Sequence, residues 1–321
     1  MNVKEELLKT LAGGDFISGA ALAERLGVSR NAVWKAVKSL ESEGYVIESV
    51  TAKGYRLAES SNRLSESLIL SHLPDRSMCS SVRVFDELGS TNITAKELAS
   101  AGAPDGTVVA AETQTMGRGR LGRSFASPPG SGLYMSVIVR PELELQLCSM
   151  ITAAAAVAVA EAVENLSGAE TRIKWVNDIY MNGRKICGIL TEASLGLEMH
   201  SLDYAVIGIG VNVSGSFEGE LADIATSVEA ECGLRPDRNA LCAEIIKELR
   251  KYLPTIGERG FLTEYRRREM LTGSEVTTTV GRETLTGKAV GIDDDANLIV
   301  ELPDGTQRHI GSGEANRTRK K

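Results

Sequence analysis

Histidine is scarce, cysteine is scattered, and no apolar run is long enough to cross a bilayer. Each shortage removes a class of function. The only histidines, His72, His200 and His309, lie far apart with no evident Ser or Cys partner, which argues against a histidine-based triad. Cys79, Cys148, Cys187, Cys232 and Cys242 form no CxxC pair and have no histidine at zinc-ligand spacing. They read as free thiols in a reducing compartment, and no metal site is expected. The most apolar stretch, Leu147 to Ala160, gives way to Glu161 and Glu164 after about 14 residues, which suits a buried core helix better than a membrane span. The opening MNVKEELLKTLAGG is amphipathic and mixes acids with bases, unlike a signal peptide. A cytoplasmic protein with no membrane partner is expected. An excess of positive charge is missing as well: the formal net charge is −7, so any contact with DNA must come from a local patch.

What is present is enough for several domains. The 321 residues exceed one ordinary core, and 42% hydrophobic with 25% charged residues is a soluble, globular balance. There is no internal repeat and no low-complexity tract. Residues 1–62 show short helical patterns ending in a β-ribbon. Residues 63–271 mix strands and helices, with 63–80 reading as a polar linker. Residues 272–321 are all short strands. The expected class is multidomain α+β. Strands are predicted over Thr107–Glu112, Leu133–Val139, Thr171–Val176, Ile186–Glu192 and Tyr204–Val213, an Ala-rich helix follows the second of them, and an amphipathic helix covers Asn239–Tyr252. Near the end, Val276–Val280, Leu285–Ile292, Leu298–Leu302 and Gln307–Ile310, separated by turn residues, suggest a small barrel.

The first section has the layout of a helix–turn–helix. Ser18 can cap a helix whose apolar positions are Ala21, Leu22 and Leu26. Gly27 permits a left-handed turn, and Ser29 caps a second helix. Val33, Val37 and Leu40 face the core, leaving Arg30, Asn31, Lys35 and Lys38 outside. Tyr45–Val50 and Tyr55–Leu57 read as a two-stranded wing with Lys53 and Arg56 at its tip. A recognition helix sets its first residues against base edges while a wing touches phosphate, so Ser29, Arg30, Asn31, Lys35, Lys38, Lys53 and Arg56 are the candidate DNA contacts. Over residues 1–60 eight basic and eight acidic side chains cancel. The positive stripe is therefore local, and a winged helix serving as a protein-interaction module is the alternative.

The densest signal is Gln114-Thr115-Met116-Gly117-Arg118-Gly119-Arg120-Leu121-Gly122-Arg123. It matches GxGxxG, but Ser124 to Gly130 contains Pro128-Pro129 and cannot open the helix that a dinucleotide fold requires. No Gly-Lys-Ser/Thr ending makes it a phosphate loop. Glycine lets backbone N–H groups approach a ligand, and arginine brings permanent charge and forked donors for phosphate or carboxylate. An anionic ligand is the chemical expectation; a solvated basic loop is the bland one.

The loop resembles the GRGRxGR signature of biotin–protein ligases. Ser90-Thr91-Asn92 precedes it at the usual distance. Lys174-Trp175-Val176-Asn177-Asp178, Gly183 to Glu192 and Gly208-Ile209-Gly210-Val211-Asn212-Val213 follow in family order. With the winged helix before and the small barrel after, the likeness extends over the chain and is similar to the bifunctional ligase that represses biotin genes. The resemblance implies a central mixed sheet of the class II synthetase and biotin–lipoate ligase type, with an SH3-like carboxyl-terminal barrel. It implies biotin and ATP with Mg2+, a biotinyl-5′-adenylate intermediate that doubles as corepressor, and transfer to a lysine of a biotin carboxyl carrier protein, an acetyl-CoA carboxylase subunit. Operator DNA and a homodimer in the adenylate-bound state complete the set of partners.

By the same resemblance Lys185, Arg118 and Arg120 are catalytic. Ser90, Thr91, Asn92, Gln114, Gly119 and Gly188 join them around biotin. Gly117, Arg123, Phe125, Lys174, Asn177 and Asn212 serve the nucleotide. Asn182-Gly183 is a strong hairpin signal, and alternation beyond it sends Ile186 to one face and Lys185 to the other; Asp178 could orient a lysine or magnesium. Leu133 and Tyr134 are apolar walls or strand core. Phe125 stands where the family commonly has Trp, Val176 where it has Pro, and the tail from Gly313 to Arg319 matches loosely, leaving contact of Arg317 or Arg319 with ATP open. Two rival functions are a biotin-sensing regulator that does not ligate and a lipoate–protein ligase.

Overall fold

The computed structural model describes the chain except residues 1–2, 59–61, 142–147, 196–201, 282, 312–314 and 321. Its first section is built from α1 (Val3–Leu11), α2 (Gly19–Leu26) and α3 (Arg30–Ser42), followed by β1 (Ile47–Val50) antiparallel to β2 (Gly54–Leu57). The expected caps are there. Ser18 Oγ accepts from Ala21 N, Ser29 Oγ accepts from Ala32 N, and Gly27 closes α2 at φ +64°. Gly54 is required for a second reason: a Cβ there would lie 2.1 Å from the Ile17 carbonyl oxygen, where the wing hydrogen-bonds back onto the chain before α2. Leu7, Leu11, Leu22, Val33, Val37 and Leu40 fill the core.

Within 63–80, expected as a linker, α4 (Glu66–His72) belongs to two cores at once: Leu68 closes the winged-helix core and Ile69 enters the larger one. That larger core lies under a seven-stranded sheet in the order β3-β4-β5-β9-β8-β7-β6. Here β3 is Ser81–Leu88, β4 Thr107–Gln114, β5 Gly132–Val139, β6 Arg172–Lys174, β7 Asp178–Met181, β8 Arg184–Leu195 and β9 Leu202–Asn212. Only β3 and β4 are parallel, joined through α5 (Thr91–Ser100), which packs on one face through Ala95 and Ala99. On the other face α6 (Cys148–Ser167) is longer than its apolar run. Ala153 to Ala156, Ala158, Ala160 and Ala162 are fully buried, small enough to let α6 lie close to the sheet and to α8 (Arg238–Tyr252). Met150–Ser167 is apolar enough by length and composition to cross a membrane, yet its side chains are mostly buried inside the fold.

The strand expected over Thr171–Val176 is cut short. The chain turns at 175–177, where Trp175 Nε1 donates to Ala296 O at 3.0 Å and Asn177 Nδ2 to Ile189 O at 2.7 Å, and restarts as β7. After α7 (Val228–Cys232) and α9 (Phe261–Arg268), the last section is a five-stranded antiparallel sheet in the order β13-β12-β11-β10-β14. Its strands are β10 (Glu275–Val280), β11 (Glu283–Ile292), β12 (Leu298–Glu301), β13 (Gln307–Ile310) and β14 (Ala315–Lys320). Four were expected. The fifth lies in the tail read as a loose motif: Arg317 and Arg319 sit opposite Thr279 and Thr277 of β10.

Candidate functional site

The α5 face of the sheet carries a trough floored by glycines, over which side chains from other elements close. Gly208 and Gly210, two apart on β9, share one face, and Gly210 pairs with Gly188 of β8. Neighbours fill the space. A Cβ on Gly208 would lie 2.0 Å from Asn92 Oδ1, and one on Gly210 would lie 2.6 Å from the Phe125 ring. Period-two glycines inside a strand mark such close approaches, a signal in the sequence to which no role was attached.

One end of the trough is a buried polar network. Ser90, Thr91 and Asn92 at the start of α5 are each under 5% exposed. Asn92 Nδ2 donates to Leu190 O at 3.2 Å and Glu192 Oε2 at 2.9 Å, which turns Oδ1 toward Ser136 Oγ, 2.7 Å away. The Ser136 hydroxyl faces two acceptors, Asn92 Oδ1 and Thr91 Oγ1 at 2.8 Å, while the Thr91 hydroxyl donates to Gln114 Oε1 at 3.2 Å. Gln114 Oε1 accepts from Thr91 N at 2.9 Å, and its Nε2 donates to Ser127 Oγ at 2.9 Å. Lys96 holds the other Glu192 oxygen at 2.6 Å. Burial pushes the Glu192 carboxyl up, but the bonds from Lys96 and Asn92 outweigh it and leave it below its ordinary value. Ser136, Lys96 and the role of Glu192 were not foreseen; nothing in the local sequence links β5 or the middle of α5 to this cluster.

At the other end stand the cations. Asn182 (φ +49°) and Gly183 (φ +83°) make the expected hairpin between β7 and β8. A bulge follows: Tyr180 pairs with Lys185 but Ile179 with Cys187, so Ile186 is extra. Ile186 and Cys187 are both buried, and Lys185 emerges on the face of Gly188, whose Cβ would lie 3.1 Å from Nζ. Alternation alone separates Lys185 from Ile186; the bulge is what brings Lys185 and Gly188 to one face. Lys185 Nζ bonds Asp178 Oδ1 at 2.7 Å. Arg120 Nη1 is 3.4 Å from Asn177 Oδ1, and burial lowers the guanidinium pKa against the opposing pull of Asp178, though arginine stays charged.

The Gly/Arg loop folds over this floor. Gly119 N donates to Arg123 O at 2.7 Å and Phe125 N to Gly117 O at 2.9 Å. Arg118 bridges backbone to Ser124, and Arg123 is exposed. A Cβ on Gly117 would strike Phe125 O at 2.3 Å. Tyr134, fully buried, meets Phe125 edge-on at 6.3 Å and donates to Pro128 O, steadying the loop's return, while Leu133 is core. The structure thus gathers Ser90, Thr91, Asn92, Gln114, Gly117, Phe125, Asn177, Lys185 and Gly188 around one trough. Lys174 lies 5.6 Å from the Tyr180 ring, and Asn212 Nδ2 donates to Thr226 O, pinning the segment that also bonds the Lys185 backbone. The side chains of Arg317 and Arg319 lie outside the described residues. Among the described residues no cluster of three His, Cys, Asp or Glu could hold a metal ion.

On the winged helix, Arg30, Asn31 and Lys35 are exposed along α3, and Lys38 pairs with Glu41 at 2.6 Å. Ser29 is engaged as the cap. Lys53 and Arg56 both lie over the Phe16 ring, at 5.8 and 4.6 Å, and Arg56 also bonds Glu48. Phe16, whose ring lies against both wing cations, was missed because it precedes α2 by sequence and is brought to the wing by the adjacent Ile17–Tyr55 bridge.

Three family models match along the chain: an HTH domain over residues 3–56, the biotin/lipoate A/B protein ligase family over 84–212, and the biotin protein ligase C-terminal domain over 272–315. The bifunctional ligase/repressor BirA of Bacillus subtilis is 40% identical, covering 92% of this chain and 93% of its own. The protein of that name from Escherichia coli is 32% identical over 96% and 95%. Among solved structures, the biotin protein ligase of Aquifex aeolicus in complex with biotin and ATP superposes with a TM-score of 0.63 at 29% identity, over 75% of this chain and 100% of that one. Helix–turn–helix, glycine trough, cationic loop and terminal sheet occur here in one chain and one order: it belongs to the family of bifunctional biotin ligase/repressors.

Proposed function

We propose that the chain joins biotin to ATP, transfers the biotinyl group to one lysine of a biotin carboxyl carrier protein of the acetyl-CoA carboxylase type, and represses biotin genes when loaded with the adenylate. The observation that carries the reading is the union of a buried hydrogen-bonding cluster and a cationic cluster at the two ends of one glycine-floored trough. The Ser90–Thr91–Asn92–Gln114–Ser136 network offers donors and acceptors to the ureido ring, and because Gly188 and Gly210 carry no side chains of their own, it is the Phe125 ring standing over them that must shift to admit the bicycle. Lys185, Arg118 and Arg120 neutralise the carboxylate and α-phosphate, which repel one another until cations stand between them. A biotin carboxylate oxygen attacks the α-phosphorus and pyrophosphate leaves. The acceptor amine then attacks the anhydride carbonyl, AMP departs, and a proton passes to solvent. No nucleophilic side chain takes part.

Gly117, Arg123, Phe125, Lys174, Asn177 and Asn212 face the nucleotide. Mg2+ accompanies the ATP phosphates, which need few protein ligands; Asp178, already bonded to Lys185, positions that amine. Loading with adenylate orders the Gly/Arg loop, favours a homodimer and sets two winged helices on a palindromic operator. The test is single-turnover adenylate formation followed by labelling of a carrier domain. The expected outcome is one biotinylated lysine, with Lys185→Ala slowing the first step about 100- to 1,000-fold. An unchanged rate in Lys185→Ala refutes the assignment, and labelling with lipoate in preference to biotin refutes the substrate.

A further inference from the structure

Trp34 is 49% exposed on α3. The chain has two tryptophans, and the other, Trp175, is 5% exposed with its N–H bonded to Ala296 O. Val33, Ala36, Val37 and Leu40 occupy the core side of α3, so the Trp34 indole lies outside that packing. It stands one turn beyond Arg30 and one turn before Lys38, at the i, i+4 spacing that aligns side chains along a helix. Asn31 and Lys35 are its exposed neighbours. A large apolar ring half in water contributes little to folding compared with a buried one, and this ring is set inside the stripe of cations.

We propose that Trp34 reads a thymine in the major groove, with its ring against the 5-methyl group and Nε1–H donating to O4. The proposal rests on α3 being the DNA-facing helix and goes on to name what that helix recognises. A helix in the groove meets base edges, and the one apolar group among those edges is the thymine methyl. Indole is a donor with no acceptor. Thymine alone presents the methyl beside an acceptor, O4; cytosine presents an amino donor at that place, which indole cannot satisfy. The flanking cations hold phosphates and fix the depth at which the ring sits.

The test uses the full chain with biotin and Mg-ATP, selecting duplexes from a random pool. The wild-type chain enriches a site with an invariant thymine in each half. Replacing that thymine by deoxyuridine, which removes only the methyl, weakens binding about fourfold, the worth of one buried methyl group, and cytosine weakens it about tenfold. Trp34→Ala loses both responses while its biotinylation rate stays at the wild-type level, which also reports an intact fold. Trp34→Phe keeps the methyl response and loses part of the discrimination against cytosine. A Trp34→Ala site with the same thymine and the same deoxyuridine penalty overturns the proposal alone. Failure of the wild-type chain to enrich any duplex overturns it together with the DNA-reading role of α3.

Discussion

Lys185 and Arg120 are half-buried beside a sheet and tied to Asp178 and Asn177, whereas Arg30, Lys35 and Lys53 stand in solvent on α3 and the wing. The first arrangement has little freedom: a bulge aims the lysine, glycines remove obstructing side chains, and each polar partner is fixed by another. The second is a set of charges on a cap-stabilised helix. Buried, mutually bonded groups fix geometry and lose heavily when one is removed. Exposed cations give salt-dependent attraction in small, separable portions. A single chain thus holds a site that depends on angle and a surface that depends on charge.

The sharpest way to break this contrast lies between the two regions. Arg238, 2% exposed, donates to Glu112 Oε2 at 2.8 Å, to Gly132 O at 3.0 Å and to the Asn62 carbonyl, and Glu112 Oε1 accepts from Leu64 N. Glu112 lies two residues before Gln114 on β4, so one buried ion pair binds the end of the winged-helix section to the strand that anchors the trough. Glu112→Ala leaves a buried guanidinium without its anion and should destabilise the ligase section by about 3–5 kcal/mol, read from the thermal unfolding of the full chain. A loss under 1 kcal/mol would mean that the interior pair behaves like an exposed one, and the contrast would fall.

Next in size is the trough. Gly208→Ala puts a carbon where Asn92 Oδ1 now lies. Asn92 must move away from Ser136 and Glu192, and biotin affinity should fall about 100-fold, roughly 2.7 kcal/mol, by isothermal titration; DNA affinity at saturating biotin and Mg-ATP should hold. A wild-type biotin affinity in this variant would show that the network is not what meets the ligand. Acid sharpens the same point. Glu192 titrates below its ordinary value in the folded chain, so its contribution is complete above the unfolded carboxylate range and disappears as pH falls through the lowered folded value. Biotin binding should weaken only in that acidic window, and Glu192→Gln should remove this part of the pH response.

These regions also differ in how far the sequence revealed them. Ser18, Gly27 and Ser29 announced α2 and α3 because capping is local chemistry, and Asn182-Gly183 announced its hairpin for the same reason. The Gly/Arg loop reads as an anion site from its composition, and its family likeness supplies the proposed roles. Ser136, Lys96 and Glu192 were not legible, because their partners come from strands and a helix some 40 to 100 positions away. The bulge at Ile186 was hidden since strand alternation carries no mark of an inserted residue. The fifth terminal strand was hidden by its charge: Ala315–Lys320 reads as a polar tail, and only pairing with β10 makes it a strand.

The smallest effects belong to the exposed cations, and there the comparison becomes quantitative. If Lys35 and Lys53 meet phosphate, Lys35→Ala and Lys53→Ala should each weaken binding of the selected duplex and reduce the slope of log affinity against log salt by about one. Lys38 differs. Its ammonium is 2.6 Å from Glu41 on the next turn, so part of what DNA would gain from it is already spent on a neighbour, and its replacement should change the slope by less than either of the others. Glu41→Gln then becomes the informative partner: freeing Lys38 should raise the slope rather than lower it. Measured across a salt series, unequal slopes for Lys35→Ala and Lys38→Ala would show charges acting one by one according to their local pairing. Equal slopes would show that this face responds only to its total charge.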